Sequence, residues 1–487
     1  MATDQFRRQL RREAEWWRSD GLISPEQYER LMQHYQFESL EKGARDRFIV
    51  ILMGMGGLLL GLGVITFVAA NWQAINREMR FLLLLLLFFI VNILGYYLWS
   101  RPLPAHHPKR WQNRLGHGLL LLGGMVLGAN LALGGQLFHI SGTAAGLCLT
   151  WGFGVLLMAY GLRLTSLGVM AIALMGLGYW WGLQELAQNG VLPGFGNLLA
   201  YMPLIAGALF LPLAYWCRSK VVFGLGAIAI LSSLEVVLFD IAQRYDKQGG
   251  WVAMLICALP PALLWSYDDT IWRRLLRQSH SFTHPFRTTA QGLALVFLIV
   301  FTYLFSFRFA WFATAPLIPL PDQITHLFGE GSALLTNLNL LVLVPLTILG
   351  WIGLAHPHRT GRWGLVKTDA VVLAMVVTIA LLTFLHWSVS PIPIVATYLC
   401  NVMFFLLGVG FLRQGLGQAN RQLFWVGLVM LSMQIISRTL EYETGLLLKS
   451  FILILCGIGI IFFGLWFERY VRSLNPAPSP AVSGRNS

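Results

Sequence analysis

Charge is what this sequence has least of. Only 12% of its 487 residues are Asp, Glu, Lys or Arg, while 56% are hydrophobic. A soluble globular domain carries about twice that share of charge, so a chain folding free in water is excluded. Negative charge is scarcer than positive. There are 22 Asp and Glu against 35 Lys and Arg, for a net charge of +13. The basic residues form no stripe interleaved with aromatics, so nucleic acid is not expected as a partner. Cysteine is sparse too. Cys148, Cys217, Cys257, Cys400 and Cys456 are odd in number and show no CxxC spacing, which argues against a disulfide framework or a zinc site. They read as small apolar packing residues. There is no GxxxxGK[ST], no HExxH and no GxSxG, so no ATP-driven pump, zinc protease or serine hydrolase is expected of this chain. No catalytic residue, metal or cofactor is assigned.

What the chain does have is long apolar runs. FLLLLLLFFIVNILGYYLW, residues 81–99, is continuously apolar and long enough for the ~20 residues of helix that cross a bilayer. The runs do not alternate, so a β-barrel is excluded. The expected fold is all-α, a polytopic transmembrane bundle of about 14 spans, with a short N-terminal cytoplasmic helical hairpin. The domains are read as 1–47 for the hairpin, 48–470 for the membrane bundle and 471–487 for a disordered cytoplasmic tail. The first span is expected at 48–70, the sixth at 195–216, the seventh at 221–242 and the eighth at 251–267. Residues 1–47 lack an apolar core, so the first span itself is expected to direct insertion. Threading fourteen spans places 28 of the 35 Lys and Arg on the side of the amino terminus and 7 on the other. The positive-inside rule then puts both termini in the cytoplasm.

In the head, Phe6, Leu10, Ala14 and Trp17 recur at helical spacing. Asp20-Gly21 supplies a turn. Ser24-Pro25-Glu26-Gln27 reads as a helix start, with Ser24 as N-cap, Pro25 at the first helical position and Gln27 as capping-box partner. Ile23 and Tyr28 are placed as a hydrophobic staple. The hairpin reads either as a packed element lying at the membrane interface or as a docking module for a cytoplasmic partner.

The head segment WWRSDGLISPEQYERLMQHY (16–35) resembles the start of a bacterial membrane-protein family, domain of unknown function 2157. Three further stretches are similar to that family: GLGVITFVAANWQAINREMR (61–80), GANLALGGQLFHISG (128–142) and AYGLRLTS (159–166). The resemblance covers about the first third of the chain. It implies a bacterial inner-membrane protein and transfers no catalytic residue.

The most unusual residue inside a span is Glu235, in GAIAILSSLEVVLFDIAQRYD (226–246). It falls past the middle of its span, in the outer half, with Asp240 near the exit. An ionisable group there costs at least about 2.5–3.5 kcal/mol on insertion scales, and so faces a cavity or a partner. Glu235 reads either as a site or as a structural group paired with a neighbouring helix. Arg438 and Glu441, in SRTLEYETGLLLKS (437–450) with Glu443 and Lys449, are spaced to pair locally in an exposed outer turn. Arg438 is also the residue best placed to reach Glu235 or Asp240. Gln136 and His139 are three apart, which on a helix puts them on one face at the outer mouth. The short connection that follows implies that the third and fourth spans form a hairpin. Asn71, Gln184, Glu185, Asp322, His326, Glu330 and His386 are scattered on the same side. Arg308 opens the longest outer connection, 305–331, the one long enough to act as a lid. Asn130, Asn337, Asn339, Asn401 and Gln434 are expected to bond between helices, and Gly57/Gly61 and Gly124/Gly128 to let helices approach.

Three functions suit these features. The leading one is a transporter or flippase-like carrier, with Glu235, Asp240, Gln136, His139 and Arg438 as a candidate ion or substrate site and a small molecule or lipid as substrate. The second is a membrane scaffold or assembly factor acting on a cytoplasmic protein through 1–47. The third is a membrane enzyme acting on a lipid-linked substrate at the outer face.

Overall fold

The computed structural model describes residues 4–34, 76–100, 110–139, 142–189, 196–244, 249–269, 286–312, 337–355, 365–441 and 445–474. Several sequence expectations lie outside these residues: the first span at 48–70 with Gly57 and Gly61, Asn71, the loop carrying Asp322, His326 and Glu330, Glu443, and the tail from 475 on. The regular elements among the described residues are all helices. The chain divides into two compact units, Met1–Ser141 and Gly142–Ser487.

In the first unit, α1 (Asp4–Ser19) and α2 (Pro25–His34) pack as a hairpin. Gly21 takes φ +74° at the turn, a conformation that costs glycine nothing. The capping box forms in both directions. Gln27 N–H donates to Ser24 Oγ at 3.2 Å, and Ser24 N–H donates to Gln27 Oε1 at 2.9 Å. Tyr28 and Ala14 are buried, with Leu10, Trp17, Ile23 and Leu31 packed around them. The staple residues Ile23 and Tyr28 therefore share one small core. Helix α3 (Arg77–Ser100) pairs closely with α4 (Arg110–Leu137). Asn130 Nδ2 donates across the pair to the Leu84 carbonyl at 3.1 Å, a bond between helices of the kind expected. The closest approach runs through Gly116 and Gly123. A Cβ on Gly116 would stand 2.8 Å from the Trp99 nitrogen.

In the second unit, α5 (Ala144–Leu162) and α6 (Thr165–Asn189) form a tight hairpin. Two acceptors cap the start of α5. Thr143 Oγ1 accepts from Gly146 N–H at 3.1 Å, and Glu185 Oε1, from the far end of α6, accepts from Ala145 N–H at 3.2 Å. Then come α7 (Gly196–Ala200), α8 (Met202–Cys217), α9 (Lys220–Arg244) and α10 (Gly249–Trp265). The sixth expected span, 195–216, is thus not one helix. It breaks at Tyr201, because Pro203 has no N–H to continue the ladder. The remainder is α11 (Arg287–Leu304), α12 (Phe309–Phe312), α13 (Leu338–Ala355), α14 (Lys367–Ser388), α15 (Pro393–Gly417), α16 (Arg421–Glu441) and α17 (Leu446–Leu474).

Eleven of these helices are long and apolar enough to cross a membrane, and α8 and α10 are shorter apolar helices. Of the fourteen spans expected, eleven have helices of that length, the sixth and eighth have the shorter ones, and the first lies outside the described residues. Large apolar side chains stay exposed along most of the spans, which hydrocarbon tolerates and water would not. This is a multi-pass membrane protein whose apolar helices meet lipid.

Packing within the second unit is uneven. Helix α9 lies most closely on α8, and α10 lies most closely on α14; the contact between α9 and α10 is much thinner. One core joins α10, α11 and α14 through Cys257, Leu298, Phe301 and Val376 and takes in Ala227 of α9, and a second joins α9, α10 and α13 through Leu238, Leu259 and Leu340. The thinner α9–α10 contact, which both apolar cores cross, marks a seam between a group made by α5, α6, α8 and α9 and a group built on α10, α11 and α14.

Candidate functional site

One end of the seam is closed by a cluster of rings and carboxylates. The Tyr215 hydroxyl, at the end of α8, donates to Asp269 Oδ1 and lies 2.7 Å from the Tyr267 hydroxyl. Asp269 also accepts from the backbone N–H of Phe286 at 3.3 Å and of Arg287 at 3.4 Å. It thereby caps the first turn of α11, whose opening N–H groups have no partner within the helix. Phe223 of α9 stacks on Phe286 at 4.9 Å and meets Tyr267 at 5.0 Å. Behind them, Asp369 accepts from Trp265 Nε1 at 3.0 Å and lies 3.9 Å from the Arg287 guanidinium. Tyr215 and Phe223 come from one side of the seam; Tyr267, Asp269 and Phe286 come from the other. None of these residues was singled out in the sequence as a site. The signal was present: Asp268, Asp269 and Asp369 are acidic positions at the ends of expected spans.

Glu235 lies on α9 twelve residues beyond Phe223, about 18 Å further along the helix axis. Its neighbours Leu234, Val236, Val237 and Leu238 are buried. Both carboxylate oxygens are buried, and neither has a hydrogen-bond partner among the described residues. Across the seam, Cys257 of α10 is within electrostatic reach of Glu235 and of Cys400 on α15. All five cysteines are free. Asp240, one and a half turns further along α9, is fully buried.

Arg438 does not go to Glu235. Its guanidinium donates to the Ser306 carbonyl at 2.6 Å, pairs with Glu441 and lies 4.0 Å from the centre of the Phe307 ring. Glu441 also accepts from Arg308 N–H at 2.9 Å. The reason is local. Ser306 follows the C-terminus of α11, where unpaired carbonyls and the helix dipole favour a cation. The pair is not an exposed turn, since the two side chains are only 17% and 20% exposed. Asn401 Nδ2 donates to the same Ser306 carbonyl at 2.8 Å, and Gln434 Nε2 donates to Asn401 at 2.9 Å. His386 is also held. Its Nδ1 accepts from Ile392 N–H at 3.1 Å and its Nε2 lies 3.0 Å from the Trp311 carbonyl. That pattern requires the neutral tautomer protonated at Nε2.

Gln136 and His139, in the first unit, are both exposed. They do not share a helical face. Helix α4 ends at Leu137, and His139 lies beyond it with φ +52°, the left-handed geometry that stops helices. The connection that was to close a hairpin after it falls at the boundary between the two units, and residues 140 and 141 lie outside the described residues. Gln184 is exposed, and Glu185 serves as the cap on α5 described above. Among the described residues no group of three or more His, Cys, Asp or Glu is arranged to hold a metal ion.

Residues 15–168 match a family model described as a predicted membrane protein (DUF2157), the family that the head and the early membrane motifs resemble. No curated relative and no solved structure matches the chain.

Proposed function

We propose that this protein is a carrier of the bacterial inner membrane, with both termini cytoplasmic, in which Glu235 takes up and releases a proton or a cation as the helices on either side of the seam move. The observation that carries this reading is the pair of buried, unpartnered oxygens of Glu235 beside the thin α9–α10 contact. A carboxylate within a span is expensive to keep and pairs or serves a pathway; this one has no hydrogen-bonding partner among the described residues. The Tyr215–Asp269–Tyr267 cluster supports the same reading as a closure across the cytoplasmic end of the seam. Breaking it would open that end while Glu235 stays inside the bundle, as alternating access requires. Asp240, fully buried on the same helix, lies further along that path.

The test is proteoliposome transport. Vesicles holding the full chain are given a pH gradient and a panel of small-molecule and lipid substrates, and charge movement is recorded. Substrate-dependent current is expected with the native chain. It is lost in Glu235→Gln at unchanged membrane abundance. Current that persists in Glu235→Gln removes that residue from the mechanism.

A second reading, an assembly factor working through the hairpin, is favoured by the exposure of Trp16 and Leu22 on that small element. Deleting residues 1–47 would then abolish partner pull-down while the membrane domain still inserts.

A further inference from the structure

Two tight turns stand side by side at one end of the second unit, and they share a sequence pattern. Tyr160-Gly161-Leu162-Arg163 closes α5, and Tyr215-Trp216-Cys217-Arg218 closes α8. Each arginine stops its helix in the left-handed conformation, at φ +55° and +51°, and one residue later the next helix begins. The starts of α6 and α9 touch, since a Cβ on Gly168 would lie 3.3 Å from the Val222 side chain.

A platform is built between the turns. The Tyr160 hydroxyl donates to the Leu209 carbonyl at 2.6 Å, and Trp216 Nε1 donates to the Tyr160 carbonyl at 2.9 Å. The indole is thereby fixed, and the Arg163 guanidinium lies over it, 4.3 Å from the ring centre. Stacking occupies the face of a guanidinium and leaves the N–H groups at its edge available. Arg163, Arg218 and Lys220, the first residue of α9, are all exposed, and among the described residues none of them is in an ion pair. Asp269 and Asp369, at the same end, are engaged elsewhere, with Tyr215, Trp265, Arg287 and the start of α11. The helix surface just inside the turns is apolar: Leu157 of α5, Trp216 of α8 and Val221 of α9 are exposed.

We infer that the α5–α6 and α8–α9 turns form a binding site for the headgroup of an anionic phospholipid. Arg163 takes the phosphate from one turn, and Arg218 and Lys220 take it from the other. A stacked guanidinium offers phosphate oxygens two parallel donors from a fixed position. An indole with its N–H bonded and its ring exposed suits the headgroup level of a bilayer, and basic pockets between spans hold acidic headgroups. A lipid is favoured over a soluble phosphate because the exposed apolar residues beside the cations give acyl chains a surface to lie on. An anionic headgroup is favoured over a zwitterionic one, whose own cation three unpaired positive charges repel. The inference does not depend on the role given to Glu235, since it concerns a lipid at the bundle surface and not an ion within it.

The experiment titrates the full-length protein in detergent with phosphatidylglycerol, with phosphatidylcholine, and with phosphatidylglycerol in the presence of inorganic phosphate. Bound lipid is counted by native mass spectrometry. Saturable binding of phosphatidylglycerol over phosphatidylcholine is expected. Arg163→Gln should weaken it about tenfold or more, the usual effect of losing one hydrogen-bonding group to a charge. Lys220→Gln should weaken it as well. That side chain is exposed and in no ion pair among the described residues, so the variant reads the site even if Arg163→Gln folds poorly. Lys367→Gln removes an exposed cation in the first turn of α14 and should leave binding unchanged. Equal binding of the two lipids overturns the inference. So does a loss in Lys367→Gln as large as in Arg163→Gln, which would make the attraction one of general surface charge. Displacement of phosphatidylglycerol by inorganic phosphate at comparable concentration would make the ligand a soluble anion and overturn it equally.

Discussion

Replacing Glu235 by Leu should make this protein more stable. The side chains are of similar volume, and the carboxylate gives up no hydrogen bond, because neither oxygen has a partner among the described residues. Its surroundings are apolar, with Leu234, Val237 and Leu238 buried alongside. Insertion scales set an acidic residue at the centre of a span about 2.5–3.5 kcal/mol above water and Leu about 0.3–0.6 kcal/mol below it. The transfer difference is therefore about 3–4 kcal/mol as an upper bound. The proximity of Cys257, a weakly polar neighbour, and the position of Glu235 past the middle of its span reduce the expected gain to about 1–3 kcal/mol. In a protein of this size that is a rise of a few degrees in Tm. Thermal unfolding of the purified native chain, Glu235→Gln and Glu235→Leu in one detergent reads it. The expected order is Leu highest, with Gln at or just above the native chain. A fall of Tm in Glu235→Leu would refute the reasoning. Removing one member of a buried ion pair costs about 3–5 kcal/mol, and a loss of that size would mean that the carboxylate is held by a charged partner. Higher stability together with lost transport would mark Glu235 as a group kept for function at the expense of stability.

Other substitutions probe the scaffold around the seam. Tyr215→Phe removes the hydroxyl shared by Asp269 and Tyr267 and should cost about 1.5–3 kcal/mol, the range for a bond to a charged acceptor, read as a lower Tm. Arg438→Ala takes the cation from the Ser306 carbonyl and leaves Glu441 with the Arg308 N–H. A loss of about 2–4 kcal/mol is expected, and Arg438→Lys should not restore it, because lysine lacks the planar fork. Gly415→Ala would set a Cβ 2.5 Å from the Phe424 nitrogen and force α15 and α16 apart, at about 1–3 kcal/mol. Gly410→Ala, on the same helix with nothing within 4 Å, should be neutral or stabilising by up to about 1 kcal/mol. Thermal unfolding of the two alanine variants side by side separates close packing from helix propensity.

Several features could be read from the chain because their causes are local. Hydrocarbon selects apolar runs residue by residue, so the all-α membrane class and the helices of α3, α9 and α17 follow from composition. The capping box at Ser24 and Gln27 is a contact across three residues and needs no knowledge of the rest of the fold. Asn130 was legible as a bond between helices because a lone amide in a span has few other uses. Glu235 stood out for the same reason: a charge in an apolar run is visible whatever surrounds it.

Pairing between distant helices was not legible in that way. Tyr215 meets Asp269 across 54 positions, and Trp265 meets Asp369 across 104. Neither pair leaves a local pattern, since each depends on which helix ends become neighbours. Arg438 was within sequence reach of several carboxylates, and the open carbonyls after α11 drew it to Ser306. Pro203 was visible as a residue, but helices tolerate proline in their first turn as well as at a break. What takes up the Ala200 carbonyl at that break, the amide of Asn339, comes from 139 positions away and leaves no local pattern. Hydropathy and short-range hydrogen bonding act along the chain. Partner choice among buried polar groups is settled where helices pack, because each group there must find its complement or go without.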